Sequence, residues 1–139
     1  MVFDSFSSRA QASVEYLTLV GTVLIIVALL SGYAFTIYSG TTSNSQALEA
    51  FLKVKKAIET VYALGEGNSI VIDITLPNGV SAFSASGKSI VITFDAFGSS
   101  ASDLAEFSFD VSGTLPTLEG THSIRIANSS GVVSLNEIP

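Results

Sequence analysis

The sequence has no cysteine, which excludes disulfide frameworks, thiolate metal sites and cysteine nucleophiles. One histidine, His122, leaves zinc or triad chemistry a single imidazole, and no second histidine or clustered carboxylate stands at ligand spacing from it. Charge is scarce too: 13% of the 139 residues are charged, against about 25% in an average soluble domain. Six basic residues against twelve acidic ones give a net charge of -6 and a pI near 4.5, so a nucleic acid is not an expected partner. What replaces charge is apolar surface, 47% of the residues with a mean hydropathy of +0.55, and neutral hydroxyls, 22 Ser and 11 Thr. A chain of this composition hides much of itself in lipid or in partner subunits.

The apolar residues are concentrated. No charged residue occurs from Tyr16 to Leu48, a run of 33 positions, and its densest part is Leu17 to Tyr38. As a helix those 22 residues span about 33 Å, enough to cross a hydrocarbon core of about 30 Å. Tyr33, Phe35 and Tyr38 stand near the end of the run, where amphipathic aromatics favour a membrane interface. The competing reading is the core helix of a soluble protein, but the 75 residues from 65 to 139 are too few to wrap so long a helix on all sides. An ordinary secretory signal ending at Gly32-Tyr33-Ala34 is the other, and the run is long for an h-region of about 7 to 15 residues. Arg9 ahead of the run favours a cytoplasmic N-terminus, while Lys53, Lys55 and Lys56 follow at the margin of the distance over which such charges count.

The polar landmarks lie before the run, in Arg9-Ala10-Gln11-Ala12-Ser13-Val14-Glu15-Tyr16-Leu17. This stretch resembles the class III signal peptide of archaeal type IV pilins, whose signature is Q-x-S-x-E-Y. Val61 to Asn68 with Leu76-Pro77-Asn78-Gly79-Val80 is similar to the junction between helix and head in that family, and 113–126 is similar more loosely. The leader departs from the family in having one Arg and one Asp where a more basic segment is common. The resemblance implies a cut by a prepilin peptidase between Ala10 and Gln11, after Arg9, that leaves the apolar helix on the mature protein. Residues 1–10 are then a leader, 11–64 a long helix and 65–139 a head domain. Such a cut would expose the Gln11 amine one helical turn from Glu15, on the same or a neighbouring chain. An ionisable group at the edge of an apolar helix is costly and usually functional, and a carboxylate in a first turn also suits the helix dipole.

Within the long helix, Ala28, Gly32, Thr36 and Gly40 form a stripe of small residues at four-residue spacing, a candidate seam for close helix association. Ser39 to Gln46 is polar and weakly helical, a patch of the kind that can break or bend a helix, and the simplest reading is one long helix from about Gln11 to Leu64 that is loosened near 39–45. Ala47, Phe51, Val54, Ile58 and Val61 then recur at helical spacing, with Glu49 and Lys53 paired on the other side, which predicts an amphipathic segment over 46–64 packed on the head and stopped by Gly65.

From residue 65 the period changes to two. Six strands are expected, at Ser69–Leu76, Val80–Ala85, Lys88–Phe94, Glu106–Ser112, Thr121–Ala127 and Val132–Leu135. The fold class is therefore α+β, a long N-terminal hydrophobic helix followed by a small antiparallel sheet or sandwich. Ser86-Gly87-Lys88-Ser89 mimics the end of a phosphate-binding loop, but Ala82 stands at the position of its first glycine and a strand follows. Asp73, Asp95, Asp103 and Asp110 lack the spacing of a calcium loop. His122 shares strand phase with Ile124 and Ile126, which favours a structural role. Asn128-Ser129-Ser130 is a glycosylation sequon in an expected turn.

Neither cofactor nor metal nor enzymatic activity is expected. The resemblance implies a pilus subunit, membrane-inserted as a precursor with its N-terminus in the cytoplasm and then polymerised with copies of itself in an extracellular adhesive filament, served by the peptidase, an assembly ATPase and a membrane platform protein. The alternative is a single-span surface protein whose β domain binds a ligand and never polymerises.

Overall fold

A computed structural model describes residues 2–139; Met1 and the side chains of residues 2–9 and Gly40 lie outside the described residues, and with them those of Arg9 and Gly40. The elements are α1 (Val2–Leu64), β1 (Ser69–Leu76), β2 (Val80–Ser86), β3 (Ser89–Ala96), β4 (Ser99–Glu106), β5 (Asp110–Thr114), β6 (Gly120–Ser129) and β7 (Val132–Ile138). The chain is α+β, and it divides into two compact units, one up to Tyr38 and one from Ser39 to Pro139.

The backbone is helical through Ser39 to Ser45, so the polar patch there does not interrupt the long helix expected over 11–64. Hydroxyls that compete with a helix in water are here turned back on it: Ser45 Oγ donates to the Thr41 carbonyl at 3.0 Å. The helix stops where expected. Gly65 takes φ +92° with its N–H on the Tyr62 carbonyl at 3.1 Å, and Asn68 Nδ2 donates to the Leu64 carbonyl at 2.8 Å.

The seven strands form one sheet in the order β1-β6-β7-β5-β2-β3-β4. It is mixed rather than antiparallel, because β7, hairpinned to β6, inserts beside β5 and runs parallel to it from Asp110↔Val132 to Gly113↔Leu135. It is a single sheet, not a sandwich. The strand the sequence hid is β4, whose small polar residues SSASDLAE have little strand propensity. It forms because a two-residue turn, Phe97 (φ +53°) and Gly98 (φ +80°), folds it back on β3 with Ala96↔Ser99 in register. The sheet must also curve. Leu76 and Val80 lie four strand positions apart, about 19 Å in a flat sheet, while the four Cα steps between them reach at most about 15 Å.

That curved face receives the second half of α1. Ala47, Phe51, Val54, Ile58 and Val61 are buried with Ile74, Leu76, Phe83, Ile90, Ile92, Ile124, Ile126, Val133 and Leu135, a cluster in which each large side chain contributes about 1.5–3 kcal/mol. The opposite face is coated with hydroxyls that bond across strands, as in Thr93 Oγ1 to Ser102 Oγ at 2.9 Å and Ser123 Oγ donating to Asp73 Oδ1 at 2.5 Å.

Candidate functional site

Between Ala10 and Tyr38 the chain buries almost none of its apolar surface. Thirteen large apolar side chains between Leu17 and Tyr38 are exposed, among them Leu24, Ile25, Leu29, Leu30 and Phe35. At about 1.5–3 kcal/mol each, leaving them in water forgoes tens of kcal/mol. Among the described residues this is the one helix long and apolar enough to cross a membrane. Its hydroxyls are fitted to an apolar medium: Thr18, Thr22 and Thr36 donate to the carbonyls of Val14, Thr18 and Gly32 at 2.9, 2.8 and 3.0 Å.

Ala10, Gln11 and Glu15 lie on the same helix, exposed, with Gln11 and Glu15 four residues apart. Ala28, Gly32 and Thr36 are likewise exposed, and among the described residues a Cβ built on Gly32 meets nothing within 4 Å beyond its own stretch of helix. The small size of Gly32 is therefore not required by the packing of a single copy.

Asn128 needs correction. It does not sit in the turn, which begins at Ser130 (φ +55°) and Gly131, but inside β6 at 5% exposure. Its N–H donates to the Asn68 carbonyl and its carbonyl accepts from the Gly67 N–H, both at 2.9 Å, so the residue ties the end of the helix to the sheet. Its Oδ1 is buried with no partner. The exposed setting expected for glycosylation is missing at this position.

The remaining polar residues act locally. His122 bridges two elements, with Nδ1 2.7 Å from Glu137 Oε1 on β7 and Nε2 donating to the Leu118 carbonyl at 2.9 Å. Lys53 donates to the Asp73 carbonyl on β1. Ser86 to Ser89 is the tight turn between β2 and β3. Among the described residues no three His, Asp or Glu side chains gather at a metal-binding spacing.

Sequence reasoning missed two exposed loop residues, Phe97 at 65% and Leu118 at 75% exposure. Phe97 also holds φ +53°, which a bulky side chain rarely adopts. The available signal was an apolar residue directly before or within a turn dipeptide, at Phe97-Gly98 and at Leu118 after Pro116.

No family model, curated protein or solved structure matches this chain.

Proposed function

We propose that this chain is the structural subunit of a surface filament of the archaeal type IV pilus kind. One observation carries the reading: R-A-Q-A-S-V-E-Y-L leads directly into an apolar helix with thirteen exposed large side chains between Leu17 and Tyr38. Lipid covers that surface before assembly, and the helices of neighbouring copies cover it afterwards. A prepilin peptidase removes residues 1–10, an ATPase and a platform protein drive extraction, and β-rich heads coat the outside of an adhesive polymer. In the apolar core the Gln11 amine of one copy meets Glu15 of another and sets axial register.

N-terminal sequencing of material sheared from the cell surface tests this. Gln11 as the first residue of a sedimentable filament is the expected result. A detergent-soluble monomer that keeps its leader refutes it and favours the anchored binding protein.

A further inference from the structure

The strands present two sets of loops. At the end of the sheet where β1 finishes lie 77–79, Phe97-Gly98 and 115–119; at the other end lie 65–68, 87–88, 107–109 and 130–131. The second set is tipped with exposed polar residues: Glu66, Asn68, Lys88, Ser108 and Ser130. The first set carries Phe97 and Leu118, the two most exposed large apolar side chains of residues 39–139.

Chain connectivity limits how far that end can lie from Tyr38. Phe97 lines a cleft of about 320 Å³ together with Thr41, Asn44, Ser45 and Leu48 of the helix. Thr41 is three residues beyond Tyr38, a tether of at most about 11 Å in any conformation. If Leu17–Tyr38 spans a bilayer, Tyr38 stands at its interface, and the Phe97 loop is held within a short reach of the same interface.

We propose that Phe97 and Leu118 are interfacial anchors that seat residues 39–139 on the lipid surface while the protein is in the membrane. This rests on the reading of Leu17–Tyr38 as a span, not on polymerisation. The neighbouring ionisable groups are the carboxylates Asp95, Asp103, Glu119 and Glu137 and one base, His122, which is held by Glu137, so the attraction is apolar and favours a zwitterionic surface over an anionic one.

The chain has no tryptophan, so a single introduced one is an unambiguous probe. The full chain is reconstituted in phosphatidylcholine vesicles containing lipid brominated high on its acyl chains, in four versions: Phe97→Trp, Leu118→Trp, Val132→Trp at the opposite end, and Leu24→Trp within the span. The two loop variants are expected to emit to the blue of Val132→Trp and to be quenched about twofold or more beyond it, as interfacial aromatics would be. Replacing part of the phosphatidylcholine with phosphatidylglycerol is expected to lessen that difference. If Leu24→Trp is quenched and the loop variants match Val132→Trp, the anchors are refuted and the span stands. If Leu24→Trp is not quenched, the span reading falls and the anchors with it. A blue shift without bromine quenching, growing with protein concentration, assigns the two loops to a second copy and also overturns the proposal.

Discussion

Gly113→Ala probes the joint that holds the sheet together. β5 pairs with β7 over Asp110 to Gly113 and with β2 only at Gly113 and Thr114, so this short strand alone connects β1-β6-β7 to β2-β3-β4. A Cβ on Gly113 would lie 2.2 Å from the Leu135 carbonyl oxygen and 2.9 Å from its Cβ, with φ at +150°. The conformation costs about 1–3 kcal/mol, and the overlap is with backbone, so relieving it costs about 1–3 kcal/mol more. A loss of about 2–6 kcal/mol removes much of the total of about 5–15 kcal/mol that a domain this size has, and lowers its Tm by roughly 10–45 °C. Gly87→Ala separates the two terms: φ is +62°, nothing lies within 4 Å of its Cβ, and the cost is about 1 kcal/mol. Calorimetry of both variants in detergent is the assay. Equal Tm shifts for the two would refute the steric argument at the β5–β7 seam.

Three further substitutions address processing and assembly. Ala10→Trp should block cleavage while insertion into the membrane continues, read as an unchanged precursor mass in the membrane fraction; normal maturation would put the cut elsewhere. Gly32→Leu should leave insertion and the fold of one copy intact, since the position faces open space, but impair polymerisation or alter helical parameters; identical filaments by microscopy would make Gly32 incidental. Glu15→Ala should leave processing intact and weaken assembly by about 3 kcal/mol, on the order of a hundredfold in association, with Glu15→Gln separating shape from charge. Wild-type filament yield from both variants would remove Glu15 from the assembly contact.

What could be read in advance depended on how local its cause was. β1 was legible residue for residue because Ile70, Ile72, Ile74 and Leu76 alternate cleanly up to the Pro77 turn. The strand expected at Glu106–Ser112 is displaced to Asp110–Thr114, because Phe107 and Phe109 serve a loop: Phe109 stacks on Tyr62 at 3.8 Å between ring centroids. β4 carries almost no propensity of its own and is held by a turn and one neighbouring strand. The parallel pairing of β5 with β7 has no local signature, since it follows from where a later hairpin inserts. Of the candidate site, the apolar run and the small stripe could be read directly from the sequence. The burial of Asn128 could not, because the sequon is a three-residue pattern and its environment is made by Gly67 and Asn68, some sixty residues away.

The distribution of charge bears on how copies can crowd together. Residues 11–64 hold three acidic and three basic groups and cancel, as do Asp4 and Arg9. Residues 65–139 hold two basic and eight acidic groups, 2 - 8 = -6, so the whole net charge sits on the β-rich part, whether or not the leader is removed. If uncharged helices bring copies into contact, these acidic surfaces are brought together as well, and their repulsion opposes the apolar gain. The hydroxyl-coated outer face limits the cost by supplying polarity without charge, as in the Thr93–Ser102 contact. What repulsion remains acts over a Debye length of about 8 Å at physiological salt and about 30 Å at 0.01 M. Filaments should therefore lose thermal stability as ionic strength falls and regain it with salt, while the isolated, detergent-held subunit shows a weaker dependence. Scattering melts across a salt series distinguish the two. A filament transition that does not move with salt, or moves no more than that of the subunit, would mean that the acidic surfaces stay more than a Debye length apart, and that charge places no limit on how the copies assemble.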